Sequence, residues 1–305
     1  MLKKSIATLA HLGPAGTYTE AAALAYGEWL TQNTGKSCQL QPHSSIERTL
    51  KALAEGNCDL AVIPIENSIG GSVPISLDTL WQLDGLKIQQ AMVLPIAHAL
   101  MSRSQSPTVL KTVYSHAQAL SQCQMWLEAN LPDATLIATN STTEALQHLD
   151  DEPTSAAIAS VRAAHLYDLP ILAHPINDRP ENCTRFWVMS SQALDLECEA
   201  AEGERYVSLA FSLPQNAPGA LVDPLQVLAR RGINLSRIES RPTKRLLGEY
   251  LFFIDFEAGG DQSNWEAALE ELKTHTEVLK IFGEYPILWV GNNGESITPQ
   301  IPMIS

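Results

Sequence analysis

The chain has 305 residues and a formal net charge of −14, and hydrophobic residues make up 45% of it. This length favours two domains, and the hydrophobic content is ordinary for a globular protein with a buried core. The negative charge argues against nucleic acid and anionic membranes as general partners, because both repel an acidic surface. A small anionic substrate would therefore need a local positive site, such as a helix N-terminus or a single arginine.

The N-terminal third predicts a strand at 6–12, a helix at 20–30, a helix at 46–54 and a buried strand at 60–65. The first strand follows two lysines and faintly resembles an export signal, but its apolar run is too short for one and Gly13-Pro14 interrupts it. Strands at 111–115, 135–139, 156–160 and 185–190 follow, with helices at 118–129, at 143–149 and after 160. This alternation predicts an α/β layered fold with largely parallel strands.

Three predicted helix starts carry a Ser or Thr followed three residues later by Glu, which is the capping-box pattern. They begin at Thr17, Ser44 and Ser141. A capping box by itself says only that a helix begins. At Thr17, however, Gly13 and Gly16 precede the cap, so backbone N–H groups there could approach a bound carboxylate closely.

Residues 192–203 form an acidic, alanine-rich stretch that is typical of a linker. Beyond it the chain predicts strand, helix, two strands joined by a turn, helix and strand. This β-α-β-β-α-β order indicates a ferredoxin-like split βαβ sandwich. The tail, 292–305, is rich in Gly, Asn and Pro, and we expect it to be poorly ordered.

The chain has five cysteines, and no pair of them has metal-ligand spacing. They are too sparse for a disulfide scaffold in a chain of this length, which favours reduced thiols and a cytoplasmic location. No apolar run is long enough to cross a membrane. P-loop, dinucleotide and nucleophile-elbow motifs are also missing, so we expect neither a cofactor nor a metal.

The stretch "IPIENSIGGSV" places polar residues directly after a buried strand. Glu66, Asn67 and Ser68 end the strand, and Gly70-Gly71 follow. In open α/β sheets, ligands bind outside the carboxyl ends of the strands, and paired glycines let the backbone approach a ligand. The same residues are also good turn formers, so a structural role stays open.

The stretch "YSHAQALSQC" places Ser115 and His116 after a strand, with Gln118 and Gln122 one helical turn apart on one face. An N-cap role for Ser115 is the simpler interpretation. A Ser/His hydrolase is disfavoured, because adjacent side chains point in different directions and no nucleophile elbow accompanies them.

The stretch "NCTRF" places Thr184 and Arg185 at the start of the last α/β strand. Strand alternation sends these two side chains to opposite faces, so one of them faces any given cavity. Cys183 is better explained as an inert thiol than as a nucleophile, since no basic residue is obviously paired with it. Further on, "PGAL" and "IESRP" could be a helix cap and a solvated charge pair.

Taken in order, "GPAGTY", "IPIENSIGGSV", "SHAQALSQC", "NCTRF", "PGAL" and "IESRP" resemble the motifs of prephenate dehydratase, the monofunctional bacterial type with a regulatory ACT domain. The resemblance covers nearly the whole chain. Two positions depart from the family pattern, because Ala117 stands where Pro is usual and Thr19 where Ser is frequent. Neither departure removes a polar group assigned to the chemistry.

The resemblance implies a two-lobed catalytic domain, similar to type II periplasmic binding proteins, followed by a ferredoxin-like ACT domain. We place the catalytic domain at 1–191, with lobe one at about 1–80 plus 178–191 and lobe two at about 81–177. The linker is 192–203, the ACT domain 204–291 and the tail 292–305. The chain would cross between lobes near Leu80 and return near Asn177.

The implied reaction is the decarboxylating dehydration of prephenate to phenylpyruvate in L-phenylalanine biosynthesis. The family's essential threonine corresponds to Thr184, which we expect to donate to the departing oxygen. The other expected catalytic residues are Glu66, Asn67, Ser115 and Gln122. The expected substrate-binding residues are Gly16, Thr17, Ser68, Gly71 and Arg185.

The resemblance also implies that L-phenylalanine binds the ACT domain as an effector. The expected effector residues are Gly219, Ala220, Leu221, Glu239, Ser240, Arg241 and Pro242. Because ACT sheets commonly pair side by side, a homodimer or homotetramer is expected. An arogenate dehydratase and a non-catalytic aromatic amino-acid sensor stay open as alternatives, whereas a transport-type binding protein is disfavoured.

Overall fold

The computed structural model of the chain describes residues 6–104, 106–191, 204–259 and 261–291, and the backbone of Ser296–Ile297. The predicted linker at 192–203 and most of the predicted tail at 292–305 lie outside the described residues. The domain boundaries that depend on them therefore stay predictions.

Lobe one is built on the strand order β5-β11-β3-β1-β2. Its elements are β1 (Ile6–Leu12), α1 (Tyr18–Thr34), β2 (Ser37–His43), α2 (Ile46–Ala54), β3 (Leu60–Asn67), β4 (Gly71–Ser72), α3 (Pro74–Gln82), β5 (Lys87–Pro95) and, after lobe two, β11 (Cys183–Ser190). Strand β1 is parallel to β2 and β3, whereas β11 is antiparallel to both of its neighbours.

Lobe two has the strand order β10-β6-β9-β7-β8. Its elements are β6 (His98–Met101), β7 (Thr112–His116), α4 (Ala117–Gln122), α5 (Gln124–Asn130), β8 (Thr135–Thr139), β9 (Ser155–Ser160), α6 (Val161–Leu166) and β10 (Ile171–Ala173), with 3-10 turns at Pro107–Val109 and Glu144–His148. Both lobes combine three parallel strands with antiparallel partners, so the sheets are mixed rather than largely parallel. The α/β fold class is confirmed.

Local interactions explain where the lobe-one helices begin and end. The Thr17 side chain accepts a hydrogen bond from the N–H of Glu20, and Gly35, in the left-handed region at φ 69°, ends α1. Helix α2 has its predicted bounds, but its cap lies one residue later than predicted, because the side chain of Ser45, not Ser44, accepts from the N–H of Arg48. Its buried face then packs beneath the sheet.

The predicted first crossing between the lobes, near Leu80, is wrong, because it lies before one more strand of lobe one. Helix α3 and strand β5 still belong to lobe one, and the chain crosses at Ile96 and Ala97. Gln89 and Gln90 interrupt the apolar pattern of β5, so the sequence did not predict this strand. In the structure β5 pairs along most of its length with β11. The predicted single helix at 118–129 is also two helices, since the backbone breaks at Cys123.

The C-terminal domain confirms the predicted ferredoxin-like arrangement. Its elements are β12 (Arg205–Ser212), α7 (Val222–Arg230), β13 (Leu235–Pro242), β14 (Tyr250–Glu257), α8 (Gln262–Leu272) and β15 (Val278–Val290). The antiparallel strand order is β13-β14-β12-β15. The two helices pack together over one face of this sheet, around Val227, Leu228 and Trp265.

Strand β15 joins the two domains into one eleven-stranded sheet. Its first part pairs with β12, and its later residues, Ile287 to Trp289, pair in parallel with β5. Within the first stretch Gly283, at φ 124°, pairs with Ser208 beside a register shift, where strands typically bend. The joint is a shared hydrophobic core in which the Trp187 ring lies 6.2 and 6.1 Å from the rings of Phe282 and Tyr285.

Candidate active site

The centre of the candidate site is a hydrogen bond between two neighbouring strands of lobe one. Asn67 ends β3 and Thr184 is the second residue of β11, and the two residues are paired in register. The Asn67 Nδ2 atom donates to Thr184 Oγ1 at 3.0 Å. The N–H groups of Ile69 and Gly70 donate to Asn67 Oδ1 at 3.1 and 2.8 Å, so the turn after β3 fixes the orientation of this amide.

Lobe two and the returning chain complete this site with two more amides. Gln122, at the end of α4, donates from Nε2 to Asn67 Oδ1 at 3.1 Å. Asn182 donates from Nδ2 to Gln122 Oε1 at 3.1 Å and accepts from Asn67 Nδ2 at 2.7 Å. We call Asn67, Gln122, Asn182 and Thr184 the amide cluster; each of its side chains belongs to a residue that is at most 9% exposed.

The amide cluster leaves the proton of the Thr184 hydroxyl available. Because Thr184 Oγ1 accepts from Asn67 Nδ2, its own O–H is free to donate to a group in the cleft. All four side chains are neutral, so burying them carries no cost of desolvating a charge. The arrangement can present a preorganised donor to developing negative charge, which is the arrangement that stabilises such charge most effectively.

A buried Tyr–His pair lies behind the amide cluster. His98, at the start of β6, is 3% exposed, and its Nε2 lies 3.0 Å from Gln122 Oε1. Its Nδ1 lies 3.1 Å from the Tyr18 hydroxyl, which also lies 2.8 Å from the carbonyl oxygen of Ala97. Burial lowers the pKa of His98 below its ordinary value of 6.5, against the opposing effect of the hydrogen bond to Gln122.

The two lobes are closed over the amide cluster. Gly16 of lobe one packs on lobe two so tightly that a Cβ at this position would lie 3.1 Å from the Cβ of Ala163. The Ser160 hydroxyl donates to the Gly16 carbonyl at 2.9 Å. A Cβ at Gly70 would collide with the side-chain amide of Gln118 from the other lobe. A ligand the size of a substituted ring therefore requires the lobes to separate.

An ion pair and a cavity lie along the junction of the lobes. Arg162 Nε and Glu20 Oε2 are 3.0 Å apart across the junction. Although burial alone would raise the pKa of Glu20, hydrogen bonds from Arg162 and the N–H of Gly16 hold that pKa below its ordinary value. A cavity of about 540 Å³ opens beside this pair, lined by Tyr18, Arg162 and the crossing segments, and the amide cluster is not part of its lining.

The opposite face of β11 carries charges. Arg185 lies 3.2 Å from Glu66 and 3.4 Å from Asp255 of the ACT domain. Asp255 also pairs with Arg237 at 2.7 Å and accepts from the Ser208 hydroxyl at 2.6 Å. We call Glu66, Arg185, Arg237 and Asp255 the interdomain ion cluster. Glu66 and Arg185 are thus directed away from Thr184, as strand alternation requires, and do not contact the amide cluster.

Four other residues with expected catalytic or binding roles have backbone partners. The fully buried Ser115 hydroxyl donates to the Ile158 carbonyl at 2.6 Å, and the α4 cap is His116 rather than Ser115. Ser68 accepts from the N–H of Cys183 at 3.0 Å. Thr17 caps α1, and Gly71, at φ 76°, pairs with Asn67 in the turn. These residues shape the walls of the site rather than joining the amide cluster.

The expected effector residues fall into two groups. Gly219, Ala220 and Leu221 lie in the turn before α7, where Gly219 and Ala220 line a cavity of about 530 Å³ with Thr274 and His275. Glu239 to Pro242 lie on β13 and do not line this cavity. Glu239 accepts from Ser72 at 3.0 Å, and Arg241 contacts Asp78 at 3.0 and 3.2 Å, so both contact lobe one rather than this cavity.

Three residues at the site were not singled out from the sequence. Asn182 stands inside the quoted "NCTRF" motif, and its amide next to Thr184 was a usable signal. Tyr18 belongs to "GPAGTY", but nothing in that motif indicates that its hydroxyl reaches lobe two. His98 lies in an apolar run with no motif around it, so only the tertiary structure reveals its position.

Comparisons with known proteins agree with this geometry. A family model described as prephenate dehydratase matches residues 9–194, and an ACT domain model matches residues 207–274. The chain belongs to the prephenate dehydratase family. The first match contains every residue of the amide cluster, together with Tyr18 and His98, and the second contains the residues expected to bind the effector.

Named members of the family are similar to this chain over most of their length. The prephenate dehydratase of Lactococcus lactis subsp. cremoris is 35% identical over 93% of this chain and 99% of its own. The bifunctional chorismate mutase/prephenate dehydratase of Aquifex aeolicus is 38% identical over 93% of this chain and 75% of its own. The structure of prephenate dehydratase from Arthrobacter aurescens in complex with L-Phe shares 32% identity, covers 95% of this chain and 92% of its own, and superposes with a TM-score of 0.79.

The described residues contain neither a cluster that could bind a metal ion nor a helix that could span a membrane. No group of three or more His, Cys, Asp or Glu side chains in the described part of the chain could hold a metal ion. Among the same residues, every helix is too short or too polar to span a bilayer.

Proposed function

We propose that this chain converts prephenate to phenylpyruvate, carbon dioxide and water, with the Thr184 hydroxyl assisting departure of the ring oxygen. The observation that carries the proposal is the Asn67 Nδ2 to Thr184 Oγ1 hydrogen bond, which leaves the threonine proton free to donate. Family membership and the similarity to named prephenate dehydratases support the choice of substrate. The alternative of a non-catalytic sensor does not account for a hydroxyl oriented in this way.

In the proposed reaction, the bond between the ring and its carboxylate breaks, and carbon dioxide leaves. Its electron pair enters the ring, which becomes aromatic as the bond to the hydroxyl oxygen breaks. That oxygen takes up a proton and departs as water. Thr184 donates a hydrogen bond to the oxygen as negative charge develops on it, and the buried amides hold the hydroxyl in place.

The role of Thr184 is tested with two substitutions of similar size. Thr184→Val keeps the shape but removes the donor, and we expect kcat to fall by about 10² or more, as for removal of one oxyanion donor. Thr184→Ser keeps the donor, and we expect it to retain substantial turnover. The measurement is the absorbance of phenylpyruvate formed from prephenate. Equal rates for Thr184→Val and the wild type would remove Thr184 from the mechanism.

The same assay with arogenate in place of prephenate tests the alternative substrate. Arogenate carries an amino group where prephenate carries a keto group, so a preference is measured as the ratio of the two kcat/KM values. A larger kcat/KM for arogenate would replace the proposed substrate while leaving the role of Thr184 intact.

We propose that Arg162 binds a substrate carboxylate when the lobes open. Its guanidinium lines the cavity between the lobes and is 42% exposed, while Arg185 lies on the opposite side of the sheet. Separation of the lobes would break the Arg162–Glu20 pair and offer the guanidinium to a dianionic substrate. We expect Arg162→Gln to raise KM more than it lowers kcat. An unchanged KM would exclude this contact.

We propose that L-phenylalanine binds the ACT domain beside Gly219 and changes turnover. The cavity of about 530 Å³ at the turn before α7, and the similarity to a family member solved in complex with L-Phe, support this site. Calorimetric titration of the full chain with L-phenylalanine tests it, with Gly219→Val as the blocking variant. An unchanged affinity in Gly219→Val would move the effector site elsewhere.

We propose a homo-oligomer formed through the ACT sheet. Within the described residues, β13 has a neighbouring strand on one side only, and an uncovered sheet edge is suited to pairing with a second copy. Light scattering after size-exclusion chromatography gives the mass directly, and a monomer at all concentrations would contradict the proposal.

We propose that the protein works in the cytoplasm. The four cysteines that lie in the described part of the chain are all free, and burial raises the pKa of three of them, Cys38, Cys58 and Cys123. Unreactive thiols of this kind suit a reducing compartment. Cell fractionation with a specific antibody tests the location.

A further inference from the structure

The Tyr18–His98 pair has no role in the reaction as written above, although it contacts the amide cluster. The side chains of both residues lie where the chain crosses between lobes. The His98 N–H donates to Asn177 Oδ1, and the Ile176 N–H donates to the His98 carbonyl at 3.0 Å. The two crossing segments therefore hold the backbone of His98 in place, and the imidazole has a fixed position behind Gln122.

The protein backbone determines which way the amides of the cluster point. Asn67 Oδ1 accepts two backbone N–H groups, so Asn67 Nδ2 must be the donor toward Thr184. Gln122 then has to present its NH₂ group to Asn67 Oδ1, since two carbonyl oxygens would repel each other. This orientation places Gln122 Oε1 3.0 Å from His98 Nε2.

The orientation of Gln122 in turn determines the tautomer of His98. An amide oxygen only accepts hydrogen bonds, so His98 Nε2 must carry a proton. In the neutral ring Nδ1 is then an acceptor, and the Tyr18 hydroxyl at 3.1 Å is its donor. Because burial lowers the pKa of His98, the ring is neutral at neutral pH, and the single Tyr18 proton is then shared between Nδ1 and the Ala97 carbonyl oxygen.

Resting on the dehydratase function proposed above, we propose that His98 is a positioning residue for the reaction. Held by Tyr18 as the Nε2–H tautomer, it donates to the Gln122 carbonyl beside Asn182, and so reinforces the amide orientation that the backbone imposes on Asn67 and, through Asn67, on the Thr184 hydroxyl. Without the Nε2–H donor, Gln122 Oε1 keeps only the donor from Asn182 Nδ2, so the amide is held less firmly in this orientation. A rotated Gln122 would place its oxygen against Asn67 Oδ1 and disturb the bond to Thr184.

The Tyr18 hydroxyl has a second acceptor, so its proton can point to either of two groups. The Ala97 carbonyl oxygen lies 2.8 Å from it. When His98 is protonated, Nδ1–H can donate to the Tyr18 oxygen while the hydroxyl turns to Ala97, and the Nε2–H contact with Gln122 is retained. The Cys123 thiol is the titratable group that acts on the Tyr18 phenol, and burial raises the pKa of both.

The tautomer is measured directly by nitrogen NMR on the full chain labelled with ¹⁵N-histidine. The His98 signals are assigned as those missing from the His98→Gln spectrum. At about pH 7.5, where a neutral imidazole is expected, we expect the pattern of a protonated Nε2 and a bare Nδ1. A protonated Nδ1 with a bare Nε2 would overturn the proposal whatever the enzyme's activity.

The kinetic test compares two substitutions of His98. His98→Gln places an amide donor near the position of Nε2, and we expect it to keep kcat for prephenate within about fivefold. His98→Leu removes the donor, and we expect a loss in kcat of about tenfold or more with a smaller change in KM, because the defect is in orientation rather than binding. His148→Leu, which alters a ring stacked on Tyr114 at 4.2 Å, serves as a matched control that should leave turnover unchanged.

The outcomes separate this proposal from the function on which it rests. Equal kcat values for His98→Leu and His98→Gln, in protein that unfolds at the same temperature, would overturn the positioning role. If His98→Leu does not fold, wild-type levels of turnover in His98→Gln support the role and a loss as large as that in Thr184→Val overturns it. Wild-type protein that forms no phenylpyruvate would instead overturn the dehydratase function, and the NMR result would still decide the tautomer.

Discussion

The two faces of β11 carry different kinds of hydrogen-bond network. On one face Thr184 joins three neutral amides in the closed junction between the lobes. On the other face Arg185 joins the interdomain ion cluster, in which Asp255 is 1% exposed. One step along a strand thus separates the proposed chemistry from the attachment of the ACT domain.

This contrast follows from the cost of burying each kind of group. Neutral amides can be buried with their hydrogen bonds satisfied, and the backbone can fix their orientation, so they are suited to holding a hydroxyl in place. Buried charges need paired counter-charges, so they hold together the elements that supply them. Because Glu66 and Asn67 are adjacent, as are Arg185 and Thr184, the backbones of β3 and β11 directly connect the two networks.

The largest expected effect comes from placing a charge on the neutral face. Asn67→Asp keeps the acceptor for the N–H groups of Ile69 and Gly70 but loses the donor to Thr184, whose hydroxyl would then turn to the carboxylate. We expect kcat for prephenate to fall by about 10²–10³. Ser72→Ala, which removes a hydrogen bond to Glu239 from the same turn, is the control and should retain turnover. Comparable losses in both variants would refute a special role for the amide.

The next effect comes from removing a charge on the other face. Asp255→Ala leaves Arg237, whose side chain is 8% exposed, buried without its closest counter-ion. Breaking a buried pair in this way typically costs about 3–5 kcal/mol of unfolding free energy, which urea unfolding measures. Replacing Glu47, an exposed helix partner of Lys51, is the control and should leave the urea midpoint where it is. A midpoint for Asp255→Ala equal to that of the control would mean that the ion cluster does not hold the domains together.

A smaller effect is expected at the second charged contact between the domains. Arg241 pairs with Asp78 of α3. Burial alone would raise the pKa of Asp78, but hydrogen bonds from Arg241 and Lys244 hold that pKa below its ordinary value. If this contact transmits the effector signal, Arg241→Met and Asp78→Asn should each weaken the response of turnover to L-phenylalanine by about twofold to fivefold, within the usual range of coupling energies. Calorimetry should show unchanged L-phenylalanine affinity. Loss of affinity in Arg241→Met alone would return Arg241 to the effector site.

The smallest effect is the dependence of stability on His98 protonation. Since the pKa of His98 is lower in the folded protein than its ordinary 6.5, the unfolded chain binds more protons below that pH. The free energy of unfolding should therefore fall as the pH drops below 6.5 and level off below the folded pKa. We expect the melting temperature of His98→Gln to change less than that of the wild type between about pH 7.5 and 5.5, the range over which histidine titrates. Parallel curves would show that His98 does not titrate in this range.

Much of the fold follows from local patterns in the sequence. Strand β1 and helix α2 have the predicted bounds, because a clean apolar period and clear end signals coincide there. The β-α-β-β-α-β order of the ACT domain is predicted for the same reason. Strands β2 and β5 were missed, because polar residues interrupt their apolar pattern and their partners lie far away in the chain.

The sequence by itself determined the α/β class, the ferredoxin-like second domain, and the polar motifs that contain Asn67, Gln122 and Thr184. Strand alternation even predicted that Thr184 and Arg185 face opposite ways. Only the tertiary structure decided which face of β11 meets the cleft and which face contacts the ACT domain. It also decided that His98 lies behind Gln122. These facts depend on contacts between residues 24 to 117 positions apart, and such pairings are fixed by the packing of whole sheets rather than by any local period.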